Sequence, residues 1–234
     1  KESKEIMENA TASSKSAAVG FNNYLAGVFS WMFAGLSVSG IVGYLLSQAG
    51  QSVQALFLNP ASFIVIIVLQ LGLVIFLSSR ITKLSANAAR LIFLGYAATL
   101  GVTLSMIFLA YTSTSIMRVF FITASMFLIM AVIGYATKID LSRLGPILLM
   151  GLVGIIIATI VNIFLQSDAL QTVVSYVGVV LFLGLTAYDI QKIKKIYAQF
   201  GNAGNLAILG ALNLYLDFLN LFLFLLEIFG AGRD

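Results

Sequence analysis

Long apolar stretches alternate with short polar segments along the whole chain. Crossing the hydrocarbon core of a bilayer takes a helix of about 20 largely apolar residues. Seven stretches satisfy this requirement: Tyr24–Ser47, Ala61–Ser79, Leu91–Tyr111, Ile116–Ala136, Pro146–Leu165, Leu170–Tyr188 and Leu206–Phe229. The pattern predicts an all-α polytopic membrane protein with seven transmembrane helices. Polar residues and a proline at Asn59-Pro60 mark the first break, and Pro146 suits the first turn of the fifth helix.

The composition supports a single membrane domain. Of the 234 residues, 60% are hydrophobic and 9% are charged, whereas soluble domains contain about 25% charged residues. We expect a seven-helix membrane domain over residues 21–234, preceded by a polar cytoplasmic tail over residues 1–20. The protein's main environment is therefore the lipid bilayer, and no nucleic-acid motif accompanies the net charge of +4.

The positions of the cations predict the orientation in the membrane. Short loops rich in Lys and Arg stay in the cytoplasm. The loops after the second, fourth and sixth predicted helices are basic: they carry Arg80, Lys83 and Arg90; Lys138 and Arg143; and Lys192, Lys194 and Lys195. We therefore expect a cytoplasmic N-terminus and, with seven spans, a C-terminus outside.

The residue types that are missing restrict the chemistry. The chain has no cysteine and no histidine, which excludes thiol nucleophiles, Ser-His-Asp hydrolysis and His-ligated transition metals. A metal would have to be held by oxygen atoms, as hard cations such as calcium are. We expect no tightly bound cofactor.

A line of polar residues interrupts the last apolar stretch. Asn213, Asp217, Asn220 and Glu227 are spaced so that they share one narrow face of a helix. A carboxylate at mid-membrane depth costs roughly 2.5–3.5 kcal/mol, and such residues usually work on ions or protons. Asp217 is therefore the leading functional candidate. The other three are candidate pathway-lining residues, although a simple hydrogen-bonded seam between helices explains the two asparagines equally well.

A second carboxylate, Asp189, lies at the end of the sixth predicted helix. Taken alone, it is explained by a charged helix end, because Lys192 and Lys195 follow it. However, helices joined by a short loop usually pack together, and two neighbouring carboxylates resist simultaneous ionisation and favour a shared proton. Arg80 is a candidate counter-charge. The predicted boundaries place Asp217 roughly 16 Å into its helix, so the two aspartates meet only if the seventh helix begins outside the membrane or a vestibule dips inward.

Three segments resemble the Bax-inhibitor family, also called the transmembrane Bax inhibitor motif family. They are LSSRITKLS (Leu77–Ser85), GLTAYDIQKIK (Gly184–Lys194) and ALNLYLDFLNLFLFLLEIFG (Ala211–Gly230), and the likeness covers the chain after its first 20 residues. The branch that the chain resembles is bacterial, so the resemblance implies a bacterial inner membrane.

The resemblance also implies a central seventh helix wrapped by the other six, and a pH-sensitive calcium leak. In the family, the aspartates that match Asp189 and Asp217 form a hydrogen-bonded proton sensor, and an arginine that matches Arg80 pairs with the first of them. Where some relatives carry an acidic residue in the second helix, this chain has Gln70. Family members are further implicated in resisting cell-death signals and, in bacteria, in modulating a membrane-bound protease.

Three functions follow as hypotheses. The leading one is a calcium leak channel gated by protonation of the aspartate pair, with calcium as the permeant ion that both carboxylates bind transiently. The alternative is a non-conducting regulator of a membrane protease or of a cell-death or stress pathway. An intramembrane aspartyl protease is disfavoured, since Leu214, Tyr215 and Leu216 stand where the GxGD motif of such enzymes would require its two glycines; we expect no enzyme.

Overall fold

Helices account for nearly all of the regular structure. The computed structural model describes residues 2–232, and side chains within residues 18–57 and 59–232. In order, the helices are α1 (Glu2–Ser47), α2 (Gln51–Leu58), α3 (Pro60–Arg80), α4 (Ala86–Ala110), α5 (Ser113–Ala136), α6 (Gly145–Leu165), α7 (Asp168–Phe200) and α8 (Gly204–Phe229). All except α2 are long and apolar enough to cross a membrane. The prediction of seven transmembrane helices is confirmed, whereas the short α2 was not anticipated.

Two helices extend far beyond their predicted limits. α7 continues to Phe200 instead of ending near Tyr188, because Ile190 and Ile193 face the protein interior and are almost completely buried. α1 begins at Glu2, so the first spanning helix includes backbone of the predicted tail. Lys1 and the side chains of residues 2–17 lie outside the described part of the chain.

The last helix forms the centre of the bundle. α8 is the most buried of the seven spans found within the described residues, and it packs against α1, α4, α5 and α7. α3 and α6 form an outer layer that packs mainly on α4 and α7 respectively. This arrangement places the polar face of α8 inside protein, where helix-bound carboxyl and amide groups can find partners.

Glycines allow α1 and α4 to approach closely beside α8. A Cβ at Gly101 would lie 2.7 Å from the backbone oxygen of Ser39, so only glycine fits at this crossing. Ser39 Oγ donates to the backbone oxygen of Ala97 at 2.7 Å and lies 2.6 Å from the hydroxyl of the fully buried Tyr215. The Ser39 hydroxyl therefore joins α1 to α4 and to α8, which it contacts two residues before Asp217.

The two ends of the bundle differ in charge. We call the end with Arg80, Lys83, Lys138, Arg143, Lys192, Lys194 and Lys195 the basic end, and the end with the C-terminus of α8 the opposite end.

At the basic end, the α5–α6 loop is fixed to α7. Lys195 Nζ pairs with Asp140 Oδ1 at 2.6 Å and also contacts the Ser142 hydroxyl. Gln191 bonds to the backbone of Ile139 and of Leu141, both at 2.8 Å. The bond from Lys195 lowers the pKa of Asp140 to about 2.

Candidate functional site

The two intramembrane aspartates lie at matching depths on α7 and α8. Asp189 is about three turns before the end of α7 at Phe200, and Asp217 about three and a half turns after Gly204. Because α7 continues to Phe200, well past its predicted end at Tyr188, neither a vestibule nor an unusual start of the last helix is required. The register of this antiparallel pair brings the aspartates together.

The carboxyl groups of Asp189 and Asp217 are in hydrogen-bonding contact and shielded from solvent. Asp189 is 7% exposed and Asp217 is 5% exposed, and each side chain is the other's hydrogen-bonding neighbour. With both groups ionised, no donor from the described residues reaches the buried Oδ2 of Asp217. A proton held between the two carboxyl groups supplies that donor, because a protonated carboxyl donates one hydrogen bond.

Lys192, rather than Arg80, is the cation beside the pair. Its Nζ lies 3.9 Å from Asp189 Oδ1, one helical turn towards the basic end, and its side chain is 45% exposed. Arg80 ends α3, is exposed and, in the part of the chain that the structure describes, makes no ion pair with either aspartate. The sequence-based contact between Arg80 and the pair is therefore not made here, because α3 packs mainly on α4, away from α7.

Gly134 of α5 determines how closely α5 approaches the helix that carries Asp189. A Cβ at Gly134 would lie 2.8 Å from the Cα of Ala187 and 2.9 Å from its carbonyl carbon, with the carbonyl oxygen nearer still. Ala187 precedes Asp189 by two residues and is buried. Direct backbone contact between α5 and α7 thus holds this part of α7 in place against α8.

The remaining residues of the polar face have different surroundings. Asn213 is half-buried, and Asn220 is half-buried with its Nδ2 donating to the Leu216 backbone oxygen of its own helix at 2.8 Å. Glu227 is near the opposite end, where Ser175 Oγ donates to its Oε2 at 2.5 Å and the amide of Gln171 donates to its Oε1. The polar face therefore contacts α7 at two levels, Asp217 and Glu227.

Gln70 takes no part in either level. Its amide donates to the Thr99 backbone oxygen at 2.8 Å and to Thr103 Oγ1 at 2.6 Å. These bonds join α3 to α4, so Gln70 is a helix-packing residue in this structure.

Chemically, the aspartate pair can exchange a proton or receive a cation. Two buried carboxylates in contact are unstable without compensating positive charge, and carboxylate oxygens are ligands of hard cations. No cluster of three or more acidic side chains occurs within the described residues. Since calcium prefers six to eight oxygen ligands, two carboxyl groups suit a passing ion better than a resident one.

Comparison with known proteins identifies the family. The family described as "Inhibitor of apoptosis-promoting Bax1" matches residues 21–234. The chain belongs to the Bax inhibitor family. "Inner membrane protein YbhL" of Escherichia coli K12 is 46% identical over 219 residues, covering 92% of this chain and 94% of the relative.

Other bacterial proteins are similar to this Bax inhibitor family member over nearly their whole length. An uncharacterized protein of Borreliella burgdorferi is 45% identical over 91% of this chain and 94% of its own. Another, from Rickettsia prowazekii, is 36% identical over 96% of both chains. The resemblance drawn from the three sequence segments is thereby confirmed. The prediction of a membrane protein is confirmed too, and the Escherichia coli relative is named for the inner membrane.

The contacts of three polar residues at this site, Lys192, Gln171 and Ser175, were not predicted from the sequence. Lys192 belongs to a basic run that indicates the end of a helix, although its spacing from Asp189 places both on one helix face. Gln171 and Ser175 bind Glu227 from α7. Their spacing of four residues was a usable signal, because it presents two donors on the same face of a helix.

Proposed function

We propose that this protein is a pH-sensitive calcium leak channel of the bacterial inner membrane, gated by the Asp189–Asp217 pair. The observation that carries the proposal is the contact between two buried carboxyl groups on adjacent central helices, with one oxygen that lacks a donor. A carboxyl pair inside a membrane is costly, which favours a role in moving ions or protons over a purely structural role.

In the closed form, a proton shared by the pair binds α7 to α8. When that proton leaves, two like charges face each other in a low-dielectric environment and repel. The helices then separate, or a cation takes the place of the proton. Lys192 stands at the basic end of the pair, so its exposed ammonium group competes with an entering cation for Asp189.

The orientation proposed for this function follows the loop charges. The basic end faces the cytoplasm, so that the N-terminus is inside and the C-terminus outside. Calcium and protons are then the small partners of the protein, and no bound cofactor takes part.

The test is calcium uptake into proteoliposomes across a pH series, with native protein, Asp189→Asn and Asp217→Asn. Each substitution preserves side-chain size and removes one ionisable group of the pair. We expect a pH-dependent flux in the native protein and a flux with a changed or lost pH response in both variants. Asp140→Asn is the matched control, since it removes an exposed carboxyl group outside the pair.

Two results would contradict the channel. One is a sealed preparation that shows no calcium flux at any pH. The other is a flux whose pH response is the same in the native protein and in both variants of the pair.

A second candidate is a non-conducting regulator of another membrane protein, such as a membrane-bound protease, or of a cell-death pathway. The family description, which names an inhibitor of another protein, favours it. In that case the aspartate pair is a structural contact between α7 and α8. Protein without flux that still co-purifies with a membrane protease and lowers its activity supports this candidate.

A further inference from the structure

The seam between α7 and α8 continues past the aspartate pair to the opposite end. On the side of the aspartates that faces the opposite end, the rings of Phe182 and Phe224 pack with centroids 5.9 Å apart. Gly178 makes room for this layer, since a Cβ at that position would lie 2.5 Å from the Phe224 ring. An apolar layer therefore separates the aspartate pair from Glu227, which is one turn beyond Phe224.

Beyond the aromatic layer, Glu227 ties α8 to α7 through both of its carboxylate oxygens. Ser175 Oγ reaches Oε2 at 2.5 Å, and Gln171 Nε2 reaches Oε1. The Ser175 hydroxyl also lies 2.9 Å from the Gln171 backbone oxygen, the longer of its two acceptors. Hydrogen bonds to an ionised carboxylate are roughly twice as strong as neutral ones. We call Gln171, Ser175 and Glu227 the latch.

The latch is held in position by α6. Gln171 Oε1 accepts from Asn162 Nδ2 at 2.8 Å, and Asn162 Oδ1 accepts from the backbone N–H of Ser167 at 3.0 Å. Asn162 is 9% exposed. The amide of Gln171 is therefore oriented with its N–H towards Glu227, and the α6–α7 turn, α7 and α8 form one hydrogen-bonded unit.

The latch lies between two spaces. On its outer side is an open groove of about 230 Å³ that also touches Asp168, Thr172 and Tyr176. On its other side is a cleft of about 330 Å³ between α6, α7 and α8, which reaches Phe182 and Asn220. This cleft is open towards the outer surface of α6, where Ile156 and Ile160 are half exposed and lipid would cover it. Gln171 and Glu227 line both spaces. Breaking the latch would join the groove to the cleft.

We propose that the latch is a second closure of the α7–α8 seam, which controls the access of water and cations to Asn220 from the opposite end. This role of the latch rests on the proposed function, since access matters only if the protein conducts ions. A cation arriving from the groove meets the Glu227 carboxylate first, and it competes with Ser175 and Gln171 for the same two oxygens. Entry of the cation and release of the latch are thus one event.

The absence of cysteine from the chain makes access directly measurable. Asn220→Cys introduces a single thiol at the inner end of the cleft, and the bond lost is only to the residue's own helix. Purified protein in lipid nanodiscs is treated with a charged, water-soluble methanethiosulfonate reagent, and the rate of modification is followed. Both membrane faces are open in a nanodisc, so the result does not depend on the orientation of the chain.

The rate is compared in three further backgrounds. Ser175→Ala removes one donor of the latch, and Glu227→Gln removes the charge that both donors bind. We expect modification about tenfold faster in Ser175→Ala, as follows from losing one charged hydrogen bond, and at least as fast in Glu227→Gln. The matched control is Ser125→Ala, because the hydrogen bond of Ser125 within the described residues is to the Phe121 backbone oxygen of its own helix, on the exposed side of α5.

The latch is overturned if Ser175→Ala and Glu227→Gln leave the rate within about twofold of Asn220→Cys alone, or if Ser125→Ala accelerates modification as much as they do. Failure of the channel gives a different result. In that case access increases in the latch variants while proteoliposomes carry no calcium. Conversely, a flux that depends on Asp217 together with unchanged access retains the channel and rejects the latch.

Discussion

Adding one methyl group at Gly134 tests whether backbone contact between α5 and α7 positions the helix that carries Asp189. In Gly134→Ala, the new Cβ would lie 2.8 Å from the Cα of Ala187, whereas ordinary contacts begin at 3.4 Å. α5 and α7 must therefore move apart by at least about 0.6 Å, the difference between these distances, and by more to clear the Ala187 carbonyl oxygen, which is nearer still. Because the obstructing atoms are backbone, no side-chain rotation relieves the overlap.

The loss of unfolding free energy in Gly134→Ala is best measured relative to a glycine whose added Cβ has room. A Cβ at Gly95, an exposed position in the interior of α4, would meet no atom of the described residues within 4 Å. Gly-to-Ala in a helix interior stabilises by up to about 1 kcal/mol, and this contribution is common to both positions. The difference in unfolding free energy between Gly134→Ala and Gly95→Ala therefore isolates overpacking, about 1–3 kcal/mol.

Two assays measure the consequence of the substitution. Equilibrium unfolding in mixed micelles with increasing dodecyl sulfate, followed by circular dichroism, gives the free energies of both variants. Calcium uptake across a pH series shows whether displacing α7 changes the aspartate contact, since Ala187 is two residues from Asp189. If Gly134→Ala is as stable as Gly95→Ala, close backbone contact does not position α7, and the reasoning is refuted.

Three further predictions concern buried and paired polar groups. Ser39→Ala should lower the unfolding free energy by about 1–3 kcal/mol, because it leaves the buried Tyr215 hydroxyl without its Ser39 partner. Tyr215→Phe should lower it by only about 0.5–1.5 kcal/mol, because Ser39 still donates to the Ala97 carbonyl. Equal losses in micelle unfolding contradict this asymmetry. Asp217→Asn should raise stability at pH 7.5 by about 1–3 kcal/mol in the same assay, since the amide supplies a donor to Asp189 in place of the buried oxygen that lacks a donor in the ionised pair. A loss of stability contradicts this. The folded-state pKa of Asp140 is lowered to about 2 from 3.8, so its contribution to stability is present above pH 4 and is lost as the pH falls towards 2. Asp140→Asn should therefore leave the pH response of calcium flux between pH 5 and 8 unchanged. A shifted response in that range contradicts the assignment of pH sensing to the Asp189–Asp217 pair.

The sequence was sufficient to locate the aspartates because of the cost of a charge in lipid. Asp217 stands out within an apolar stretch that is long enough to span the membrane, and the polar face of its helix follows from helical periodicity. Seven spans followed in the same way from length and hydropathy. Each of these inferences depends on one helix at a time, and for that reason they succeeded.

Contacts between distant helices could not be obtained in this way. Arg80 and Lys192 are both cations near the basic end. The spacing of Lys192 from Asp189 places both on one helix face, but the sequence does not show whether Arg80, on another helix, reaches Asp189. The choice depends on which helices are neighbours: α3 packs mainly on α4, whereas Lys192 is on the same helix face as Asp189. The local candidate has the contact because it requires no tertiary arrangement.

The location of the α7–α8 turn determines most of the site. If α7 ended near Tyr188, as the sequence pattern predicts, Asp189 and Asp217 would lie at different depths in the membrane and would not be in contact. When α7 continues to Phe200, the same antiparallel pairing puts the aspartates at equal depth. It also places Ser175, about seven turns before the end of α7, opposite Glu227, about six and a half turns into α8. The buried Ile190 and Ile193 are the residues that keep α7 helical past Tyr188 and packed against the core, so the register of both polar levels depends on apolar side chains that take no part in the chemistry.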